Sequence, residues 1–122
     1  MLLYVDTNVY LDFLLERCNK QGDDLEERAA QLFQRAIECE FDILVSDLLV
    51  RELEKHVEPS LSRMLFTALA PKMRSARISL WDRGAIADET HARCARRHGA
   101  LVVTRNVGDF LRFGQAKRPE DL

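Results

Sequence analysis

The chain begins Leu2-Leu3-Tyr4-Val5-Asp6-Thr7-Asn8, an apolar run that stops on a carboxylate and passes at once into helix-capping residues. A short, uninterrupted apolar run fits a strand covered on both faces, as in a parallel sheet. Such a strand delivers Asp6 to its C-terminal end, where Thr7 or Asn8 can cap the helix that follows. In open α/β sheets, ligands sit outside the carboxyl ends of the strands. Read alone, Asp6 is equally well a helix cap, so the question is whether other acids reach the same edge.

The remaining chain repeats the pattern of strand and helix. Residues 7–17 carry Val9, Tyr10, Phe13 and Leu14 at helical spacing, and the polar stretch from Asn19 to Asp24 reads as a loop. Asp24 to Cys39 is an amphipathic helix, with Leu25, Ala29, Leu32, Phe33, Ala36 and Ile37 on one face and acids crowding its start. Phe41 to Val45 is a second strand, and Ser46 or Asp47 can cap the helix bearing Leu48, Leu49, Leu53 and His56. A shorter helix follows Pro59 and ends at Pro71. A third strand is expected near Arg77–Leu80, a helix over Gly84–His98 with Gly99 as its stop, a fourth strand over Leu101–Thr104, and a short edge strand near Gln115–Lys117. This alternation predicts one α/β domain over residues 1–122, with a parallel sheet of four to five strands between helical layers.

With 47% apolar and 31% charged residues, the composition is that of a folded globular chain. No apolar run approaches the roughly 18–20 residues of a membrane span, and the N-terminus reaches Asp6 too soon for a signal peptide. Cys18, Cys39 and Cys94 form no CxxC pair, so they are expected as buried or semi-buried thiols in a reducing cytoplasm. His56, His91 and His98 offer no zinc set, and Tyr4 and Trp81 read as packing residues. Charge is uneven: residues 1–71 carry 7 Lys/Arg against 14 Asp/Glu, and residues 72–122 carry 11 against 6. An Arg-rich basic half suits phosphate, although a mixed solvated surface or an oligomer contact has the same composition.

Four acids are placed where a charge is costly or exposed to use. Asp6 ends a buried strand. Glu52 lies on the apolar stripe of its helix, where pairing with His56 at i+4 is the structural alternative. Asp88 shares a face with Ala92 and Ala95, and His91 at i+3 is its alternative partner, whereas neighbouring Glu89 has Arg93 and Arg96 for a solvated ladder. Asp109 follows the fourth strand, and there Thr104 and Asn106 can equally bond the local backbone. In a parallel sheet all four acids can meet at one edge. Bare carboxylates so gathered would repel and hold protons, and a hard divalent cation such as Mg²⁺ or Mn²⁺ relieves that cost. One such ion, or two about 3.5–4 Å apart, can activate water at a phosphodiester.

With these positions marked, the chain resembles PIN-domain ribonucleases, and among them the VapC-type toxins. The likeness rests on Val5-Asp6-Thr7-Asn8, on Val45-Ser46 with Glu52 seven residues beyond the strand, on Asp88 eleven residues before Gly99-Ala100, on Leu101-Val102-Val103-Thr104-Arg105-Asn106 leading to Asp109-Phe110, and on the closing Pro119-Glu120-Asp121-Leu122. It implies a Rossmann-like three-layer fold and a Mg²⁺- or Mn²⁺-dependent endoribonuclease. Asp6, Glu52, Asp88 and Asp109 are then the acidic quartet, with Asn8 and Thr104 as polar supports. Many relatives have Asp where this chain has Asn106, which leaves open whether Asp109 or Asn106 fills the fourth position. The resemblance also implies an antitoxin partner and a homodimer.

The expected chemistry is metal-assisted RNA hydrolysis, with Asp6 as central ligand and Asp88 and Glu52 completing the site. Arg93, Arg96, Arg97 and Arg105 are the candidates for holding the RNA backbone, against surface pairing with Glu89 for Arg93. Other readings are a PIN-like RNA-processing nuclease that is not a toxin, a non-catalytic RNA or protein module, and a haloacid dehalogenase-like phosphatase. The phosphatase typically wants an acid at position 8, where this chain has Asn8, and no strong lysine candidate is present.

Overall fold

The computed structural model describes residues 1–122 except 19–21 and 23. Its centre is a five-stranded parallel sheet, β1 Leu2–Val5, β2 Asp42–Ser46, β3 Met73–Ala76, β4 Leu101–Val103 and β5 Ala116–Lys117, in the order β3-β2-β1-β4-β5. β1 pairs through Leu3 with Ile43 on one side and with Leu101 on the other. The chain therefore builds outward from β1 in one direction and then returns to build in the other. The resulting seam between β1 and β4 is where open sheets of this kind form a crevice.

Period-two alternation divides the strands between two cores. Leu3, Val5, Ile43, Val45 and Val103 face α1 Thr7–Leu14, α2 Leu25–Ile37, α3 Asp47–Glu54 and α4 Pro59–Leu69. Tyr4, Leu44 and Val102 face α5 Ala87–Arg97 and Phe110 of the short α6 Val107–Phe110. Both faces of β1 are thus dry, which is why its apolar run is unbroken. Side chains cap the first three helices. Asp6, rather than Thr7 or Asn8, caps α1 and accepts from the Thr7 amide at 2.8 Å. Asp24 caps α2 by accepting from the Glu27 amide, and Ser46 caps α3 by accepting from the Leu49 amide at 3.1 Å. Gly99, at φ 70°, stops α5.

Four expectations need correction. The third strand is Met73–Ala76, not Arg77–Leu80. Apolar alternation at Ile78 and Leu80 mimics a strand, but Asp82 folds the segment into a turn by accepting from the Ser79 amide while its own amide donates to the Ser79 carbonyl. Trp81 is not packed: it is 87% exposed, beside Leu80 at 83%. Cys18 and Cys39 are exposed, and only Cys94 is buried. Burial pushes the Cys94 thiol up to about 11, so it is an inert core thiol. The first helix ends at Leu14 rather than residue 17, and the remaining polar loop from Asn19 falls largely outside the described residues. Among the described residues no helix is long and apolar enough to cross a membrane.

One buried ion pair locks α1 to the segment after β4. Asp12 is 2% exposed and accepts from Arg105 Nε at 2.7 Å and Nη2 at 3.2 Å. Removing one partner of such a pair strands a buried charge, which costs about 3–5 kcal/mol. Arg105→Ala is therefore expected to lower stability by about 3 kcal/mol in chemical denaturation, and Asp12→Asn in the same background should recover part of the loss.

Candidate active site

The carboxyl edge of the sheet collects the polar residues. The Asp6 amide donates to the Val103 carbonyl at 2.8 Å, which brings the ends of β1 and β4 side by side. Across that seam the Thr104 hydroxyl donates to Asp6 Oδ2 at 2.9 Å. Asn8 Nδ2 donates to the same Thr104 oxygen at 3.4 Å, and so does the Asn106 amide at 3.1 Å. Thr104 is fully buried and Asp6 nearly so. The Asn8 amide oxygen is buried and has no hydrogen-bond partner.

Glu52 reaches this edge from α3. Its partner is His91 of α5, whose Nε2 contacts both carboxylate oxygens, and not the neighbouring His56. The Thr7 hydroxyl lies 3.5 Å from Glu52 Oε2. The other ring nitrogen of His91 meets the Tyr4 hydroxyl, which is 2.7 Å from Ser46 Oγ. A ring that donates from Nε2 and accepts at Nδ1 satisfies the whole chain. Leu49 N–H donates to Ser46, Ser46 to Tyr4, Tyr4 to His91, and His91 to Glu52. Tyr4 is buried as expected, but it carries this polar link as well as packing. His91 is 1% exposed and its two nitrogens are committed to Tyr4 and Glu52, so it is not Asp88's hydrogen-bond partner. The sequence hint for His91 was its helical offset from Asp88, and that offset named the wrong acid.

Asp88 opens α5, and Asp109 sits in the turn of α6 rather than in an irregular loop. Both line a cleft of about 430 Å³ with Ile86, Gly108 and Arg112. The acids act on one another. Burial raises the Asp6 carboxyl above its ordinary value, Thr104, His91 and Thr7 pull it down, and Asp88 adds to the rise. Burial, then Asp109 and Glu52, raise Asp88, against His91 and Arg112. Burial also pushes Glu52 up, but the hydrogen bond from His91, with Thr7, outweighs it and holds that carboxyl low.

The donors are all hard oxygens, and Asn8 adds an unsatisfied one, which fits Mg²⁺ or Mn²⁺ in chemical type. Asp6, Asp88 and Asp109 are the residues suited to hold such an ion. Among the described residues, no three His, Cys, Asp or Glu side chains are already gathered into a cage. Glu52 meets the same edge with its carboxylate bonded to His91 and near the Thr7 hydroxyl.

The four arginines nominated for RNA are each engaged by the protein. Arg105 grips Asp12, Arg93 reaches the Arg83 carbonyl and Glu89, Arg96 donates to the Phe113 carbonyl, and Arg97 holds Asp82. Arg112 was overlooked. It stands in the cleft beside Asp88 and Asp109, with its guanidinium 4.6 Å from the Phe113 ring centroid. Nothing in the local sequence distinguished it from the other thirteen arginines.

No family model and no curated protein matches the chain. Among solved structures, the chain is similar over its whole length to FitAcB from Neisseria gonorrhoeae, with a TM-score of 0.68, 19% identity and 100% of both chains covered. It is also similar to FitAB bound to the IR36 DNA fragment, with a TM-score of 0.66, 20% identity, and coverage of 100% of this chain and 97% of the other. At these identities the likeness is one of fold, and the three-layer PIN architecture implied by the motifs is met across the entire chain.

The raised acids fix a sign for pH dependence without metal. Asp6 and Asp88 bind protons more tightly folded than unfolded. Their contribution to stability is fully present below the ordinary aspartate value of 3.8 and is lost as pH rises through their raised values. Glu52 acts in the opposite sense, losing its contribution as pH falls through its lowered value. Asp6→Asn is expected to stabilise the protein in EDTA at pH 7 by on the order of 1 kcal/mol, or about 3–5 °C in Tm. The advantage should shrink toward pH 4, as measured by urea unfolding at both pH values.

Proposed function

We propose that this chain is a Mg²⁺- or Mn²⁺-dependent endoribonuclease of the VapC-type PIN class, acting as the toxin of a toxin–antitoxin pair. The observation that carries the reading is the collection of hard oxygen donors at the carboxyl edge: Asp6 bonded across the seam by Thr104, Glu52 beside the Thr7 hydroxyl, Asn8 with a buried amide oxygen that has no partner, and Asp88 and Asp109 lining one cleft. Burial raises Asp6 and Asp88, and neighbouring acids add to both rises. A fold does not keep like charges together at its own expense without a counter-charge to use them.

When bound, the ion would supply charge neutralisation at a phosphodiester and a more acidic water. The protein's own residues do the rest. Asp6, Asp88 and Asp109 would hold the ion, and Asn8 would offer its free amide oxygen. Thr104 fixes the rotamer of Asp6 by its hydrogen bond. His91 does the same for Glu52, leaving that carboxylate to orient the attacking water. Arg112 supplies a guanidinium in the cleft for a phosphate oxygen. The similarity to FitAcB and FitAB supports a second chain, the antitoxin, and self-association as a homodimer belongs to the same reading.

Incubation of purified protein with structured and unstructured RNA should give cleavage with Mn²⁺ and none in EDTA. Cleavage that survives EDTA, or survives in Asp6→Asn, refutes the assignment. Loss of the His91 contact should lower Mn²⁺-dependent cleavage about 10–100-fold with little change in Mn²⁺ affinity. Cleavage rates and calorimetry on His91→Leu read that split, and His91→Gln, which keeps a donor toward Glu52, should recover much of the rate.

A further inference from the structure

The segment between β3 and α5, residues 77–86, is not part of the acidic site and has its own construction. It leaves the carboxyl end of the edge strand and enters the helix that carries Asp88, so it lies along the same edge as the acids. Ile86 at its end lines the cleft with Asp88. Its tip exposes Leu80 and Trp81 almost completely. Exposed large apolar side chains need an explanation when they are adjacent and rigidly held.

Rigid holding is built in. Asp82, directly after Trp81, is 2% exposed and receives Arg97 through Nε at 3.0 Å and Nη2 at 2.8 Å. Arg97 also donates to the Arg77 carbonyl at 2.9 Å, and Arg93 donates to the Arg83 carbonyl at 2.9 Å. The Ile78 amide is tied to Asp47 Oδ1 at 2.9 Å, the Gly84 amide to the Thr90 hydroxyl, and the Ala85 amide to Glu89. A Cβ at Gly84 would fall 2.4 Å from the Glu89 side chain, so glycine lets that carboxylate lie against the turn. Two arginines that composition alone offers to a polyanion thus serve as internal clamps for this turn.

The cations the clamps leave over are Arg77 and Arg83, which bracket Trp81 in sequence and are exposed. Neither guanidinium has a protein acceptor among the described residues. An exposed aromatic ring on a turn that also carries two free guanidinium groups is the composition of a single-strand platform: bases stack on the ring and phosphates pair with the cations, with little base preference. We propose that residues 77–86 form a preorganised platform for single-stranded RNA, with Trp81 stacking a base and Arg77 and Arg83 taking flanking phosphates. The inference rests on the ribonuclease reading and adds a substrate-holding surface whose guanidinium groups have no protein acceptor among the described residues.

Trp81 is the chain's only tryptophan, so its emission reports on this position alone. Wild-type protein in EDTA is titrated with a labelled single-stranded oligoribonucleotide of twelve nucleotides, following anisotropy and Trp81 emission together. Binding should quench the emission. Trp81→Ala should weaken affinity about tenfold, and Trp81→Phe should restore most of it. Arg77→Ala with Arg83→Ala should reduce the salt slope of log affinity by about 1.4. Unchanged affinity in Trp81→Ala, or emission indifferent to bound RNA, overturns the platform. Emission already blue-shifted and dependent on protein concentration overturns it in favour of a protein interface. The Mn²⁺ cleavage assay on the same wild-type sample separates the two readings. Cleavage with a silent Trp81 removes only the platform, quenching without cleavage removes only the nuclease, and absence of both removes both.

Discussion

The hydrogen bond from Thr104 to Asp6 closes the seam on which the molecule is built. It joins the ends of two strands far apart in sequence, and it does so at the one place where the sheet changes its direction of growth. The backbone bond from Asp6 to Val103 holds the same two strands in register. Packing of β1 on both faces makes this junction stiff. The cost is a carboxylate largely removed from water, with others pressing on it. Stability and chemistry therefore pull against each other at Asp6: the same burial that fixes its position makes its charge expensive.

The arginines show a related division of labour. An exposed guanidinium is available to a polyanion, but one already bonded to a buried carboxylate is part of the fold. Arg105 and Arg97 belong to the second kind, because Asp12 and Asp82 would otherwise be stranded in the interior. Their charges still add to the field around the edge, yet their geometry answers to the protein.

Much of the architecture was legible because the strands and helices announce themselves locally. The unbroken run at β1, the stripe of α2, and the Ser46 and Gly99 signals each arise within a few residues. The acids at positions 6, 52, 88 and 109 stand out in the sequence for a related reason, since a charge on an apolar stripe or at a strand end departs from a local pattern. What stayed hidden was contact between elements. His91 pairs with Glu52 across 39 positions, and helical spacing pointed to nearer partners. Trp81 looked like core because tryptophan is apolar, while the turn that exposes it depends on Asp82 meeting Arg97. Arg112 could not be singled out at all, because only the fold sets it beside Asp88.

The polar chain from the Leu49 amide through Ser46, Tyr4 and His91 to Glu52 runs from a helix cap to the carboxyl edge of the sheet. Ser46, Tyr4 and His91 each have one donor role and one acceptor role, so none of the three can be exchanged alone without leaving an interior atom unanswered. Such a set must drift as a unit over evolutionary time. Lineages that replace the histidine should also be found to have altered the tyrosine or the serine, and the sheet's second face would carry a record of the chemistry at its edge.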